Sequence, residues 1–379
     1  MPLFQHAFRP LFLSAALWAV VALVLWIGVL TGSVNLPTRL SPTDWHIHEM
    51  LFGFVMAGIG GFLLTAIPNW TGRAPLRGLV LATLTAVWAA GRGATMVGAL
   101  VPEWLAMSAD LAYPLLLFAL AARELVAARN RRNLPLLVPL GLLFVADLSM
   151  HLDHPDLGWR LGLGCVMVLI AVIGGRITPA FTRNWLRPRG GPDVPEAGPV
   201  DHLAIVASVV SLLLWVAEPD ASATGWLLML AAGLHLLRLM RWHGPATRSE
   251  PLLLALHLGY LWMAVSLALL GVAVLTAMNP TWSVPLPAAI HAMTAGTNGR
   301  MMLAVMARAT LGHTGRALRA DRATVAAFAL VGLAALARIA AAWNLADPMV
   351  LLGGSALAWI GAFALFVGRY GPMLLRPRL

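Results

Sequence analysis

The sequence predicts an all-α membrane protein of twelve transmembrane helices, and three observations predict it. Of 379 residues, 60% are hydrophobic and 11% charged, whereas about a quarter of the residues in soluble domains carry charge. Apolar runs of about twenty residues, the length that crosses a bilayer as an α-helix, fill most of the chain. The arginines between those runs alternate in density from one side of the membrane to the other.

Polar and proline-rich breaks set the spans in order at 10–31, 46–68, 76–99, 104–122, 134–151, 159–181, 203–217, 225–241, 251–277, 286–309, 323–343 and 349–368. With the amino terminus cytoplasmic, eighteen of the 26 arginines fall on that side and only Arg39 and Arg160 on the other, which places both termini in the cytoplasm. The first run continues for about twenty residues without a small-residue cleavage pattern, so it is read as a span rather than a removable signal. The longest cytoplasmic loop, 183–202, is rich in glycine and proline and too short for a domain. Residues 1–379 are therefore expected to form a single polytopic transmembrane domain.

An internal echo runs through the spans. Offset by 243, Ile47-His48-Glu49-Met50 aligns with Ile290-His291-Ala292-Met293, Gly53 with Gly296, Ala66 with Ala309, and Thr71-Gly72-Arg73-Ala74 with Thr314-Gly315-Arg316-Ala317. A fainter copy in span six carries Gly174-Gly175 and Asn184-Trp185, like Gly60-Gly61 and Asn69-Trp70. Related spans at two, six and ten suggest three parallel arcs of four helices, the arrangement of the catalytic subunit of haem–copper oxidases.

Composition removes several function classes. Every basic residue is arginine, so a P-loop ATPase, a Schiff-base enzyme and any lysine nucleophile are excluded. The lone cysteine, Cys165, leaves no disulfide framework, no thiolate cluster and no C-x-x-C-H attachment of haem. A redox centre must then rest on histidine or methionine. The net charge of +10 is assigned to loops facing anionic lipid rather than to nucleic acid.

Eleven histidines in so apolar a chain are informative, because a buried imidazole needs partners for both ring nitrogens. Topology places His46, His48, His151, His154 and His291 near the outer face, and His6, His202, His235, His243, His257 and His313 near the cytoplasm. Pro42 and Pro285/Pro287 open spans two and ten just before His48 and His291. The two imidazoles therefore sit at matching depth on parallel helices, which suits axial ligation of one haem. His46 and His48 diverge by about 200° on a helix, so His46 is left for a second metal or a haem propionate. His6, His235, His257 and His313 are candidates for a further metal site or a quinone pocket.

Arg92, Arg176, Arg238, Arg300, Arg308 and Arg338 lie within or at the ends of spans and are expected to face the bundle interior. Their partners there are haem propionates, an anionic substrate, or Glu49, Asp110 and Asp147. Arg176 and Arg300 each follow a glycine on a repeat-related span, and with Glu49 they are the candidate catalytic groups. The methionines are read as packing, the tryptophans as interfacial anchors and the glycine clusters as close helix contacts.

The runs His6-Ala7-Phe8-Arg9-Pro10, Trp45-His46-Ile47-His48-Glu49-Met50-Leu51-Phe52-Gly53, Pro68-Asn69-Trp70-Thr71-Gly72, Gly175 to Asn184, His257-Leu258-Gly259-Tyr260 and Gly312-His313-Thr314-Gly315-Arg316 resemble the NnrS family over nearly the whole chain. The resemblance implies a bacterial inner-membrane protein carrying haem and copper, associated with denitrification and resistance to nitric oxide. It also implies metal-binding roles among His6, His46, His48, His235, His257, His291 and His313, without saying which binds which metal. Unlike haem–copper oxidases, the chain has no histidine in span six and no adjacent histidine pair in span seven.

The leading expectation is an enzyme that removes nitric oxide, reducing two molecules to nitrous oxide and water at a non-covalent haem b, with copper as the possible second metal. Membrane quinol is the expected electron donor, because the chain has no soluble domain and no covalent haem. The alternatives are a non-catalytic stress protein that binds nitric oxide, haem or copper, and a twelve-helix transporter with repeats and intramembrane charges.

Overall fold

The computed structural model describes residues 2–277, 279 and 281–379, and every regular element among them is helical. Twelve long helices follow in chain order. They are α1 (Phe8–Leu30), α2 (Pro42–Thr71), α3 (Leu79–Met96), α4 (Glu103–Ala127), α5 (Leu134–His151), α6 (Pro155–Arg189), α7 (Pro199–Ala217), α8 (Ser222–Met240), α9 (Pro251–Thr276), α10 (residues 286–313), α11 (Arg322–Ala342) and α12 (Pro348–Leu375). Eleven are long and apolar enough to cross a membrane. The twelfth, α10, is divided into Leu286–His291, a π-helical stretch Ala292–Gly299, and Arg300–His313. His291, Asn298, Arg300 and Arg308 make it less apolar than the other eleven.

Helix starts follow the local chemistry. Ser41 accepts from the Asp44 amide at 3.1 Å and Pro42 occupies the first turn of α2, where its missing N–H costs nothing. Gly72 closes α2 in the left-handed region at φ 71°. Asp321 and Glu250 cap α11 and α9 through the amides of Thr324 and Leu252. The loop expected at 183–202 is shorter, because α6 runs on to Arg189 and α7 begins at Pro199. The Arg183 guanidinium holds the intervening segment back by donating to the carbonyls of Val194 and Pro195, each at 3.0 Å.

Three helices contain π-helical stretches: α2 at Glu49–Val55, α6 at Ile170–Gly174 and α10 at Ala292–Gly299. The first and third start one residue after His48 and His291, so the 243-residue echo extends to the backbone. Its glycines behave alike as well. A Cβ on Gly53 would lie 2.5 Å from Trp18 Nε1, and one on Gly296 would lie 2.7 Å from the indole of Trp262. The stretch in α6 sits nearly two turns later relative to its glycine pair, in keeping with the fainter sequence match.

By packing, the chain divides into two units. Unit 1 comprises Met1–Cys165, Ala309–Ala317 and Phe363–Leu379, and unit 2 comprises Val166–Arg308 and Leu318–Ala362. In unit 1, α1 buries Phe8, Leu11, Phe12, Ala15 and Ala16. Gly61 admits the Phe12 ring, and Thr65 accepts the Phe8 amide at 3.0 Å. Arg9 is buried and caps the carboxyl end of α12, donating to the carbonyls of Leu374 (2.8 Å) and Arg376 (2.5 Å), which α12 itself leaves without partners. In unit 2, α8 and α9 cross at Gly225 and Gly271. A Cβ on Gly271 would stand 2.8 Å from the Gly225 carbonyl oxygen.

That crossing can be tested. Gly271→Leu forces α8 and α9 apart and should destabilise unit 2 by about 1–3 kcal/mol, lowering the thermal unfolding midpoint. Gly233→Ala on α8 meets nothing within 4 Å and should leave the midpoint unchanged or raise it.

Candidate metal centre

The proline-led start of α2 brings His48 to the end of its first α-helical stretch, and Glu49 opens the π-helical one. Both side chains are fully buried in unit 1. Glu49 is surrounded by donors. Trp18 Nε1 of α1 donates to Oε2 at 2.8 Å, Arg92 Nη1 of α3 donates to Oε2 at 2.9 Å, and the Thr95 hydroxyl, one turn beyond Arg92, donates to Oε1 at 2.6 Å. His48 Nδ1 lies 3.1 Å from Oε1. A carboxylate so placed is an acceptor only, so His48 carries its proton on Nδ1 and donates it to Glu49.

The consequence falls on the other ring nitrogen. His48 Nε2 faces Asp147 Oδ1 at 2.8 Å and Asp110 Oδ2 at 2.9 Å. His151 Nε2 reaches the same Asp110 oxygen at 2.8 Å. Asp110 comes from α4 and is bound on its other oxygen by Arg92. Gly91 permits this approach, since a Cβ there would lie 3.1 Å from the Asp110 Cα. Asp147 and His151 are four residues apart on α5 and share one face. Asp147 Oδ2 is buried without a hydrogen-bond partner. An unprotonated Nε2 pointing at two carboxylate oxygens repels them unless a proton or a cation lies between.

One ligand atom each from His48, Asp110, Asp147 and His151 lies within 4.8 Å of the others, a spacing that suits a metal ion. With neutral imidazoles, three carboxylates and one guanidinium leave two negative charges in excess. A divalent cation neutralises them, and the Glu49–His48 bond is the outer hydrogen bond that orients a ligating imidazole. Two imidazoles with carboxylates and no thiolate suit iron, copper, zinc or manganese. The side chain of His151 is 15% exposed while the other three are almost completely buried, so His151 forms the accessible edge.

The remaining expected site residues lie elsewhere. His46 stacks on Trp26 at 4.6 Å, outside the cluster. His291 lies in unit 2, where its Nδ1 donates to the Pro287 carbonyl at 2.7 Å. That bond leaves Nε2 as the nitrogen able to ligate. His48 Nε2 instead faces the carboxylates of Asp110 and Asp147. His235 is fully engaged, its Nε2 on Ser208 (2.6 Å) and its Nδ1 on the Tyr260 hydroxyl (2.8 Å). His257 Nε2 meets the Thr182 hydroxyl at 2.9 Å, and its Nδ1 is buried without a partner. His6 and His313 flank the Phe8 ring at 6.1 and 5.4 Å. Partial burial and then Arg9, Arg378 and Arg77 hold His6 below the ordinary imidazole range. Arg176 and Arg300 each lie just beyond a π-helical stretch, in α6 and α10. Sequence reasoning named Asp110 and Asp147 only as partners for arginine and passed over His151. The signal was the Asp147/His151 pair at helical spacing inside an apolar run.

Residues 2–378 match the family model described as NnrS protein. No curated protein matches the chain.

Arg92 neutralises both Glu49 and Asp110, so Arg92→Gln should cost about 3–5 kcal/mol, the range for breaking a buried ion pair by removing one partner. The Arg92→Gln/Glu49→Gln double variant should recover part of that loss. Thermal unfolding of the three proteins in detergent checks this, and strictly additive losses would show that the pair is not coupled.

Proposed function

The chain belongs to the NnrS family, a family of the nitric oxide response, and on that footing we propose that it is a membrane metalloprotein that removes nitric oxide. The unit 1 cluster is its metal centre. The observation that carries this reading is the convergence of His48, Asp110, Asp147 and His151, one ligand atom of each lying within 4.8 Å of the others, with Asp147 Oδ2 buried without a partner. His48, His151, Asp110 and Asp147 would hold a divalent transition metal. Bound there, a redox-active iron or copper ion supplies a coordination position for nitric oxide and one-electron chemistry. His291, whose Nδ1 donates to the Pro287 carbonyl, would hold a non-covalent haem b through Nε2.

The reaction proposed is the reduction of two nitric oxide molecules by two electrons and two protons to nitrous oxide and water, with membrane quinol as donor. The residues present divide its work. Arg92, Trp18 and Thr95 hold Glu49 as an acceptor, so Glu49 positions His48 rather than delivering protons. His151 is at the accessible edge and would ligate through Nε2, so the proton-holding group would be Asp147, whose Oδ2 has no partner.

The arrangement in the membrane follows from the same reading. The arginine distribution supports both termini on the cytoplasmic side of a bacterial inner membrane. The π-helical stretches fall in every fourth helix, α2, α6 and α10, which supports three parallel four-helix arcs.

Metal analysis of the purified full chain should find one transition-metal ion per chain at this centre. Asp147→Ala or His151→Ala should reduce that content at least tenfold, while His235→Ala retains it. His291→Ala should abolish or shift the haem absorption, whereas the loop change His243→Ala should not. In vesicles with a quinol analogue, nitric oxide should be consumed with formation of nitrous oxide. A folded, haem-supplied protein that carries no metal at the cluster and turns over no nitric oxide would overturn the proposal. Metal and haem with nitric oxide binding but no product would instead identify a non-catalytic binder.

A further inference from the structure

Unit 2 has the opposite charge imbalance. Its helices carry Arg176, Arg238, Arg300, Arg308 and Arg338, yet Asp201 is the only buried carboxylate among the described residues of that unit. Arg238 and Arg241 occupy both its oxygens, at 2.7 and 2.8 Å. Arg308 lies over the Phe181 ring at 4.3 Å. Arg300 has no such arrangement. It is 8% exposed, its Nε is buried without a partner, and no hydrogen bond or ion pair joins it to another described residue.

The surroundings of Arg300 hold it in place without neutralising it. It follows the π-helical stretch Ala292–Gly299 of α10, a kind of interruption frequent at functional sites. Its guanidinium rests on α11 at Gly332, where a Cβ would strike Nη2. On the same pair of helices, Arg338 is close enough to His291 to act on it electrostatically. A guanidinium in a low-dielectric interior needs a counter-ion, and its fork of N–H groups matches two oxygens in one plane.

We propose that Arg300 anchors a binding site in unit 2 for a planar oxyanion, either the carboxylate of an amphiphilic ligand or a free nitrogen oxyanion. Gly332 is the seat that holds the guanidinium. The site does not depend on a metal in unit 1, so the metal analysis can fail while this site stands.

Two probes separate the sources of the anion. Sodium nitrite titrated into the full chain in nanodiscs tests the free oxyanion. Haemin and its dimethyl ester, which lacks the free carboxylates, test the amphiphilic one. Arg300→Gln should weaken nitrite, haemin or both at least tenfold while leaving the ester unaffected. Arg300→Lys should lose less, and the exposed control Arg322→Gln should bind as wild type does. Because Arg300→Gln can fail to fold, Gly332→Ala provides a second route: it keeps the charge, moves Nη2 from its seat and should weaken the same probe. The proposal is overturned if wild type, Arg300→Lys and Gly332→Ala bind nitrite and haemin alike. It is equally overturned if wild type binds neither.

Discussion

Unit 1 depends on one cation placed among three buried carboxylates. A charged group at the centre of a membrane costs on the order of 2.5–3.5 kcal/mol even on insertion scales, so Glu49, Asp110 and Asp147 would not be tolerated together without compensation. Arg92 binds the first two directly, and the remaining structure follows from that choice. With Glu49 held as an acceptor by α1 and α3, His48 donates to it from Nδ1, and Nε2 faces Asp110 and Asp147. The network thereby links five helices, α1 to α5, at one depth. It specifies their rotation in a way that apolar packing alone does not, because each contact demands a donor facing an acceptor.

The architecture was legible because its determinants are local. Helix number, order and starting points follow from hydropathy, from capping residues such as Ser41-Pro42, and from loop arginines; each is set within a few residues of chain. The echo between Ile47–Met50 and Ile290–Met293 was also legible, and its backbone counterpart is a π-helical stretch beginning one residue after each histidine. The site was legible only in part. His48 and Glu49 stood out by their motif, but Asp147 lies 99 residues from His48 and reads locally as one polar residue in an apolar run. Bringing them together depends on helix rotation and register, which hydropathy does not encode. The repeat even drew attention from His151 to His291, since a matched motif is visible in sequence and a spatial neighbour is not.

The π-helical stretches bear on both units. Each inserts an extra residue into a turn, at a cost in hydrogen-bond geometry, and such distortions are frequent at functional sites. In α2 the stretch begins at Glu49, the residue that orients His48; in α10 it separates His291 from Arg300. Both carry a glycine at the corresponding position, Gly53 or Gly296, against which a tryptophan packs. The distortion and the glycine act together, since the widened turn moves side chains aside and the absent Cβ admits an indole. In α2 that indole is Trp18, which donates to Glu49, so the local backbone irregularity serves the buried charge network directly.

Charge is also sorted between the units. The interior of unit 1 has more buried carboxylate than cation, and that of unit 2 has more buried cation than carboxylate. Within each unit the chain leaves its own buried charges unneutralised, although a low-dielectric interior penalises this heavily. Stable insertion of such a chain is easiest to reconcile with bound counter-charges: a cation where His48 Nε2 meets Asp110 and Asp147, and an oxyanion where Arg300 lies unpaired against Gly332.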